Sequence, residues 1–430
     1  MTEMKHLRLE RFTAALRDGK PDARTAAWMQ AMNLGFHEEP MPEAGLLAMT
    51  GAFTIDGRTL TGVYDEHVPG LSLNPQYPVG TYGSLVKSLN TGGGNLLRAH
   101  LITAVTVRPS HRRRGILRRM ITEDLALAKA NGLAIAALTA SEATIYGRYG
   151  FGRATAINRV QLSVRDGIGL LAPAAGSVIA ADPASLLELG PRIFAAQHAA
   201  TAGSIDHPYF YTRFTTGEWA DEEQVKPLAG LRAAIHLGPG GEPDGYVTYV
   251  FAGWDKKPAQ LKIKSLVAAN AAARHGLWEY LGAHDLIECV TGPAPIDDAL
   301  PWTLTDARAY EITASHDHLW LRILDVPAAL ASRPYAHDGT LVLRVRDSLG
   351  HASGTFGLRA ASGSATVELL AEESDADIEL DVTALSSLFL GGVPVRRLAE
   401  AGRIAGGSEV LAGMAELFAV DVLPYCETGF

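Results

Sequence analysis

The sequence predicts an α+β protein built as three successive units, and three observations carry that expectation. The chain has 430 residues, more than a single hydrophobic core normally organises. Helix-period segments alternate with apolar runs of strand length. An order of strand, loop, helix and strand occurs once clearly and once faintly, and the composition shifts again after Gly292, Pro293, Ala294 and Pro295. The units are placed at residues 1–157, 158–305 and 306–430.

In the first unit, residues 28–40 have a helix-like pattern that then breaks. Strand-like runs at 47–55, 60–64 and 96–107 are separated by turn chemistry at Asp56, Gly57 and residues 91–94, so this stretch reads as a meander of strands. Gly92 to Gly94 are expected to form a flexible hairpin tip. Residues 101–107 (LITAVTV) read as a buried strand, and 108–114 as a polar loop. A helix over 115–131 follows from the spacing of Ile116, Leu117, Met120, Ile121, Leu125 and Ala128, with Gly132 as its stop. The continuous apolar run 133–140 suits a strand covered on both faces. Ser141 is placed to cap a short helix running to about Tyr149 and ended by Gly150.

The fainter copy has strands near 231–237, 245–251 and 261–267, a helix over 271–281 and a strand over 286–290. It lacks an arginine-glycine loop before its helix. The third unit offers strands at 340–345, 354–358, 365–369 and 378–382, then a helix over 384–390 closed by Gly391 and Gly392.

Composition narrows the partners. Hydrophobic residues at 47% and charged residues at 20% supply packed cores, so the chain is expected to be globular. A net charge of −9 argues against nucleic acid, which needs a basic face, and suits a cationic substrate. The two cysteines, Cys289 and Cys426, lie far apart without a CxxC, which supports neither a disulfide framework nor a metal site and points to a reducing compartment. No apolar run approaches the ~18 residues of a membrane span, so the expected setting is cytoplasmic, with no membrane partner.

The loop at 108–115 carries the chemistry. A loop that opens a helix presents unpaired backbone N–H groups and the positive end of the helix dipole, which suits a pyrophosphate. Arg112, Arg113 and Arg114 add charge, and Gly115 removes a side chain where phosphate would approach the backbone. The segment spells neither a nucleotide P-loop nor a dinucleotide fingerprint. Neither a nucleophile elbow nor a zinc-protease motif occurs in the chain.

With these residues the sequence resembles the GNAT acetyltransferases, whose cofactor loop [QR]-x-x-G-x-[GA] is matched by Arg112 to Leu117, Leu117 departing at the last position. Residues 105–115 (VTVRPSHRRRG) and 139–152 (TASEATIYGRYGFG) resemble the Eis (enhanced intracellular survival) branch in particular. The resemblance runs through the whole chain: it implies a catalytic GNAT domain, a degenerate GNAT domain and a sterol-carrier-protein-like domain. The last is matched by residues 374–382 (SDADIELDV) and 388–392 (LFLGG).

What the resemblance implies for function is specific. Acetyl-CoA would be the cosubstrate, held by Val105, Thr106, Val107, Arg112, Arg113, Arg114, Gly115, Ile116, Leu117 and Ser141, with no metal. The acceptor would be an amine of a small polycation, an aminoglycoside acetylated at several positions; a protein lysine or a polyamine is the alternative within the enzyme class. A non-catalytic CoA- or lipid-binding module is the alternative outside it. Tyr146 would give a proton to the departing thiolate, and the terminal carboxylate at Phe430 would serve as base. His111 is expected beside the pyrophosphate, Tyr149 in the core, and the third unit to act as scaffold. The family implies a homohexamer.

Overall fold

The computed structural model describes residues 6–220 and 225–430. Two seven-stranded sheets share one plan. The first runs Leu7–Thr13, Thr59–Asp65, Gly80–Asn90, Leu96–Val107, Ile135–Thr139, Leu319–Ile323 and Gly152–Arg153 in spatial order. The second runs Ser177–Ala181, Arg232–Leu237, Pro243–Phe251, Gln260–Ala268, Cys289–Ala294, Ala156–Ser163 and Tyr310–Asp317. In each sheet every neighbouring pair is antiparallel except the fourth with the fifth, which is parallel.

The sixth strands are exchanged. Ala156–Ser163 leaves the end of the first sheet to lie between Cys289–Ala294 and Tyr310–Asp317, while Leu319–Ile323 returns from the second sheet to lie between Ile135–Thr139 and Gly152–Arg153. Residues 310–317 and 319–323, which the sequence reading placed in the third unit, thus belong to the second and first sheets. Alternate apolar residues explain why the exchanged strand is held. Leu319, Leu321 and Ile323 are fully buried, and so is Arg322, whose guanidinium reaches Asp347 Oδ2 at 2.6 Å and donates to the Tyr149 carbonyl at 2.7 Å. Neither sheet is complete without the other's chain.

A five-stranded sheet, Ser364–Leu369, Gly354–Ala361, Gly339–Arg346, Ile378–Asp381 and Ile404–Ala405, forms the remaining layer. Its helix Val382–Leu388 starts at the Asp381 cap and lies on Leu319–Ile323, where the Ile323 N–H donates to Ser386 Oγ at 3.1 Å. One buried apolar cluster runs from Leu85 and Leu101 of the first sheet through Leu321 to Leu343, Leu385 and Phe389. The expected packing of this layer on its neighbours is therefore present. Contact is close enough that a Cβ on Gly152 would lie 2.1 Å from the Thr383 carbonyl oxygen.

Three expectations change. Residues 47–55, read as a strand, fall in the helix Glu43–Ile55. Its core face is Met49, Thr50, Ala52 and Phe53, and a nearly continuous apolar run leaves period 2 and period 3.6 indistinguishable. The strand expected at 286–290 is Cys289–Ala294, so Gly292 and Pro293 are paired with Val160 and Arg159 instead of marking a boundary. Pro293 is tolerated because it lies past the last residue paired with Gln260–Ala268. The glycine turn after Asn90 is docked on the third layer: Thr91 Oγ1 donates to the Ser332 carbonyl at 2.7 Å, and a Cβ on Gly92 would lie 2.9 Å from Pro334.

Candidate active site

The first sheet opens where its fourth and fifth strands part. Leu96–Val107 pairs with Gly80–Asn90 along its length, but with Ile135–Thr139 only at Ala99, His100 and Leu101. Beyond Thr103 the register against Gly80–Asn90 shifts, and Ala104 takes a left-handed φ of 52°. That bulge turns the strand away from its parallel neighbour and leaves its second edge facing a cavity of about 520 Å³. Ile102, Thr103, Ala104 and Val105 form one wall; Thr139 and Ser141 form the other. An open strand edge offers N–H and C=O groups to an extended amide-bearing ligand.

At the far end of the same strand the loop turns into the helix Ile116–Ala130. Gly115 precedes it with φ 79°, a left-handed value that disfavours other residues. A Cβ there would meet nothing within 4 Å, so conformation is the requirement that this structure demonstrates. No side chain caps the helix, which leaves its first amides available to an anion. Arg113 also has a left-handed φ of 63°. Arg112 Nε donates to the Val107 carbonyl at 3.4 Å and Arg114 Nη2 to the Ser110 carbonyl at 3.2 Å, Arg112 being exposed and Arg114 half-buried. His111 is tied to Asp65 at 3.0 Å. Burial pushes the Asp65 carboxyl up, but the hydrogen bonds from His111 and from the His67 backbone outweigh it and hold the group below its ordinary value.

The residues proposed from sequence for the cofactor follow one path along these elements. Val105 and Ser141 line the cavity, and Thr106 and Val107 continue the strand toward the loop. Thr106 is pinned by Thr81 at 2.7 Å and by Gly35, where a Cβ would come within 2.5 Å of the threonine. The side chains of Ile116 and Leu117 pack into or against the core, which leaves only their backbone for an anion at the loop. Ser141 does not cap the short helix: Glu142 stands at the N-cap of Ala143–Tyr146 without a side-chain bond. Gly150, φ 83°, does end the helical segment as expected.

Tyr146 and Phe430, far apart in sequence, line the same cavity. Tyr146 is 8% exposed and packs edge-on against Phe151. Burial, with Glu142 nearby, pushes its hydroxyl up to about 12, so it stays protonated at any ordinary pH. Phe430 is 7% exposed. Its approach is fixed by a run of bonds: Tyr425 N to the Ala202 carbonyl (2.8 Å), Thr428 Oγ1 to the Ile205 carbonyl (2.8 Å) and Gly429 N to Tyr211 Oη (2.6 Å). His318 Nε2 lies 3.1 Å from the Thr428 carbonyl.

The rest of the cavity is built by residues that no sequence motif joins. Met32 and Phe36 come from the first helix and its end, Met49, Phe53 and Arg58 from the second helix and the turn after it, and Phe214 from Phe210–Thr216. Asp56 holds this junction, accepting from Tyr209 N at 3.0 Å and pairing with Lys87 at 3.0 Å. Among the described residues, Glu38 contributes the one acidic side chain of the lining and Arg58, paired with Asp56 at 3.6 Å, the one basic side chain. Asp22 lies outside this lining and caps the first helix.

This arrangement can be set beside known proteins. Acetyltransferase (GNAT) domain models match residues 22–154 and 211–323, and a sterol carrier protein domain model matches 326–427. The chain is 35% identical over 425 residues to an N-acetyltransferase of Streptomyces griseus, covering 95% of this chain and 98% of that one. It is 34% identical over 336 residues to the N-acetyltransferase Eis of Mycobacterium tuberculosis, covering 75% and 78%. The chain belongs to the Eis family of N-acetyltransferases. The crystal structure of Eis1 from Mycobacterium abscessus superposes with a TM-score of 0.81 at 26% identity, covering 98% of this chain and all of that one. Two GNAT domains followed by a sterol-carrier-like domain, and acetyltransferase activity, are thus established for this Eis-family chain, and acetyl-CoA is what the GNAT fold uses.

The uncapped helix, the arginine loop and the open strand edge fit that cosubstrate. Replacing Arg112 and Arg114 together with Ala is expected to raise the KM for acetyl-CoA roughly tenfold with kcat little changed, because phosphate contacts are ground-state binding. Arg112 is exposed and Arg114 half-buried with only a bond to a loop carbonyl, so circular dichroism and melting should be unaltered. An unchanged KM would remove these arginines from the cofactor site.

Proposed function

We propose that this Eis-family enzyme acetylates a primary amine of a small molecule in the cavity between Ile102–Val105 and Phe430. The observation that carries the reading is the convergence of an open strand edge, a protonated buried tyrosine and the chain's last residue on one cavity. Acetyl-CoA supplies the acetyl thioester. The Phe430 carboxylate takes the proton that the amine must lose to become a nucleophile, the backbone N–H groups near Val105 hold the carbonyl oxygen, and Tyr146 Oη gives a proton to the departing sulfur. Arg112 to Leu117 hold the pyrophosphate, Thr106 and Val107 the arm, and Ser141 the opposite wall.

Two acceptor readings stand. The resemblance favours a polycation of the aminoglycoside kind, acetylated at several positions. The lining favours an amine with a single cationic head and an apolar body, because among the described residues aromatic walls surround one acidic side chain, Glu38, and the charge of Arg58 is met by Asp56 at 3.6 Å. CoA release measured with aminoglycosides, polyamines, arylalkylamines and a lysine peptide separates them: selectivity for the arylalkylamines supports the lining, and selectivity for the aminoglycosides supports the resemblance. A cytoplasmic setting and assembly as a homohexamer complete the proposal; analytical ultracentrifugation reads the latter. Among the described residues no helix is long and apolar enough to cross a membrane.

A further inference from the structure

The second sheet repeats the opening of the first without its cofactor loop. Gln260–Ala268 and Cys289–Ala294 pair only at Gln260, Leu261 and Lys262 and then part. A register shift between Thr248 and Tyr249 sets a bulge at Lys264, close to the position that Ala104 holds in the first sheet. The connection to the following helix is two residues, Ala269 and Asn270, and the Asn270 side chain accepts from Ala273 N at 2.9 Å. With a short, capped turn and no arginines, a pyrophosphate has no seat here. The cleft nevertheless encloses a cavity of about 280 Å³, near the lower end of the ~300–1,000 Å³ usual for ligand sites.

Its lining is chemically unfinished. Thr248 is 1% exposed, and its hydroxyl has no hydrogen-bond partner among the described residues. A buried hydroxyl left this way is uncommon and points to a missing partner. Arg159 and Lys264, both exposed to solvent at the mouth, line the same cavity from two strands, and Glu427, whose carboxylate feels the Arg159 charge, lines it too. Ile157, Ile263 and Val267 add apolar surface to the same lining.

We propose that this cleft is a second small-molecule site that takes an aromatic carboxylate, with the carboxylate on Arg159 and Lys264, the ring on the apolar surface and a polar substituent reaching Thr248. Occupancy is transmitted to the catalytic cavity through the tail. Tyr425, Glu427 and Thr428 wall the second cleft, Gly429 and Phe430 line the first, and Phe214 lines both. The binding half stands without the proposed mechanism; the transmission half rests on it.

The test is isothermal titration of the full chain with 4-hydroxybenzoate. Saturable binding at one site is expected, about tenfold weaker for 4-hydroxybenzamide, which lacks the charge. Saturating acetyl-CoA should not displace it. Arg159→Gln with Lys264→Gln should weaken it about tenfold while acetyl-CoA affinity stays at the native value, and Thr248→Val should weaken it roughly threefold. Absence of saturable binding, displacement by acetyl-CoA, or full affinity in the double variant would overturn the site. In turnover, the native chain saturated with 4-hydroxybenzoate should show at least a roughly twofold change in acceptor KM or kcat that the double variant lacks. Unchanged turnover would overturn the transmission. Because binding is read by heat, a chain that binds the probe but transfers no acetyl group fails only the proposed function.

Discussion

Adding a few residues after Phe430 is expected to lower kcat by at least about a hundredfold while leaving acetyl-CoA binding intact. In the extended chain an amide replaces the carboxylate, and an amide cannot accept the amine's proton. The bonds that bring the tail to the cavity lie upstream, at Tyr425, Thr428 and Gly429, so deletion of Phe430 alone should keep the tail docked and lose turnover to a similar degree. Phe430→Ala separates base from plug, because it retains a terminal carboxylate and discards the ring. If the carboxylate acts, this variant keeps most of kcat and loses mainly acceptor affinity. Full activity in the extended chain would remove the carboxylate from the mechanism.

Tyr146→Phe is expected to lower kcat roughly a hundredfold, the scale of one general acid, with the KM for acetyl-CoA within about twofold of native. The substitution removes one oxygen and leaves the ring packed on Phe151, so the fold should be untouched. The pH profile adds an independent check. A free tyrosine is half deprotonated near pH ~10, whereas burial pushes Tyr146 up to about 12 and keeps the donor loaded. Native kcat should therefore show no alkaline loss from this group below about pH 11. An alkaline limb near pH 10 that vanishes in Tyr146→Phe would mean that the hydroxyl is far less shielded than its 8% exposure indicates.

How much was legible follows the range of the interactions. The cofactor side is written locally: three arginines, Gly115 and a helix with apolar residues at Ile116, Met120, Ile121 and Leu125 occupy one continuous stretch, and the observed helix Ile116–Ala130 differs from expectation by one residue at each end. Gly132 takes φ 75° where the helix stop was placed. The acceptor side was not legible, because Phe36, Phe53, Arg58 and Phe214 meet only through tertiary packing and share no motif. Residues 47–55 went wrong for a different reason, their apolar run satisfying both periods, and length alone could have favoured Glu43–Ile55 as a helix. Nothing local distinguishes Ala104, whose left-handed φ opens the cleft. The exchanged strands Ala156–Ser163 and Leu319–Ile323 look like ordinary strands, and their partners lie across a domain boundary that sequence order does not reveal.

The central claim is that an amine and acetyl-CoA meet in the cavity shared by Val105, Tyr146 and Phe430. Release of free CoA by the full chain, followed with and without an amine from the panel and paired with mass analysis of the amine, tests it most directly. The account predicts CoA release that saturates with amine and equals the acetylated product formed. CoA release at the same rate without any amine would contradict it, since the enzyme would then be hydrolysing the thioester with water as the acceptor.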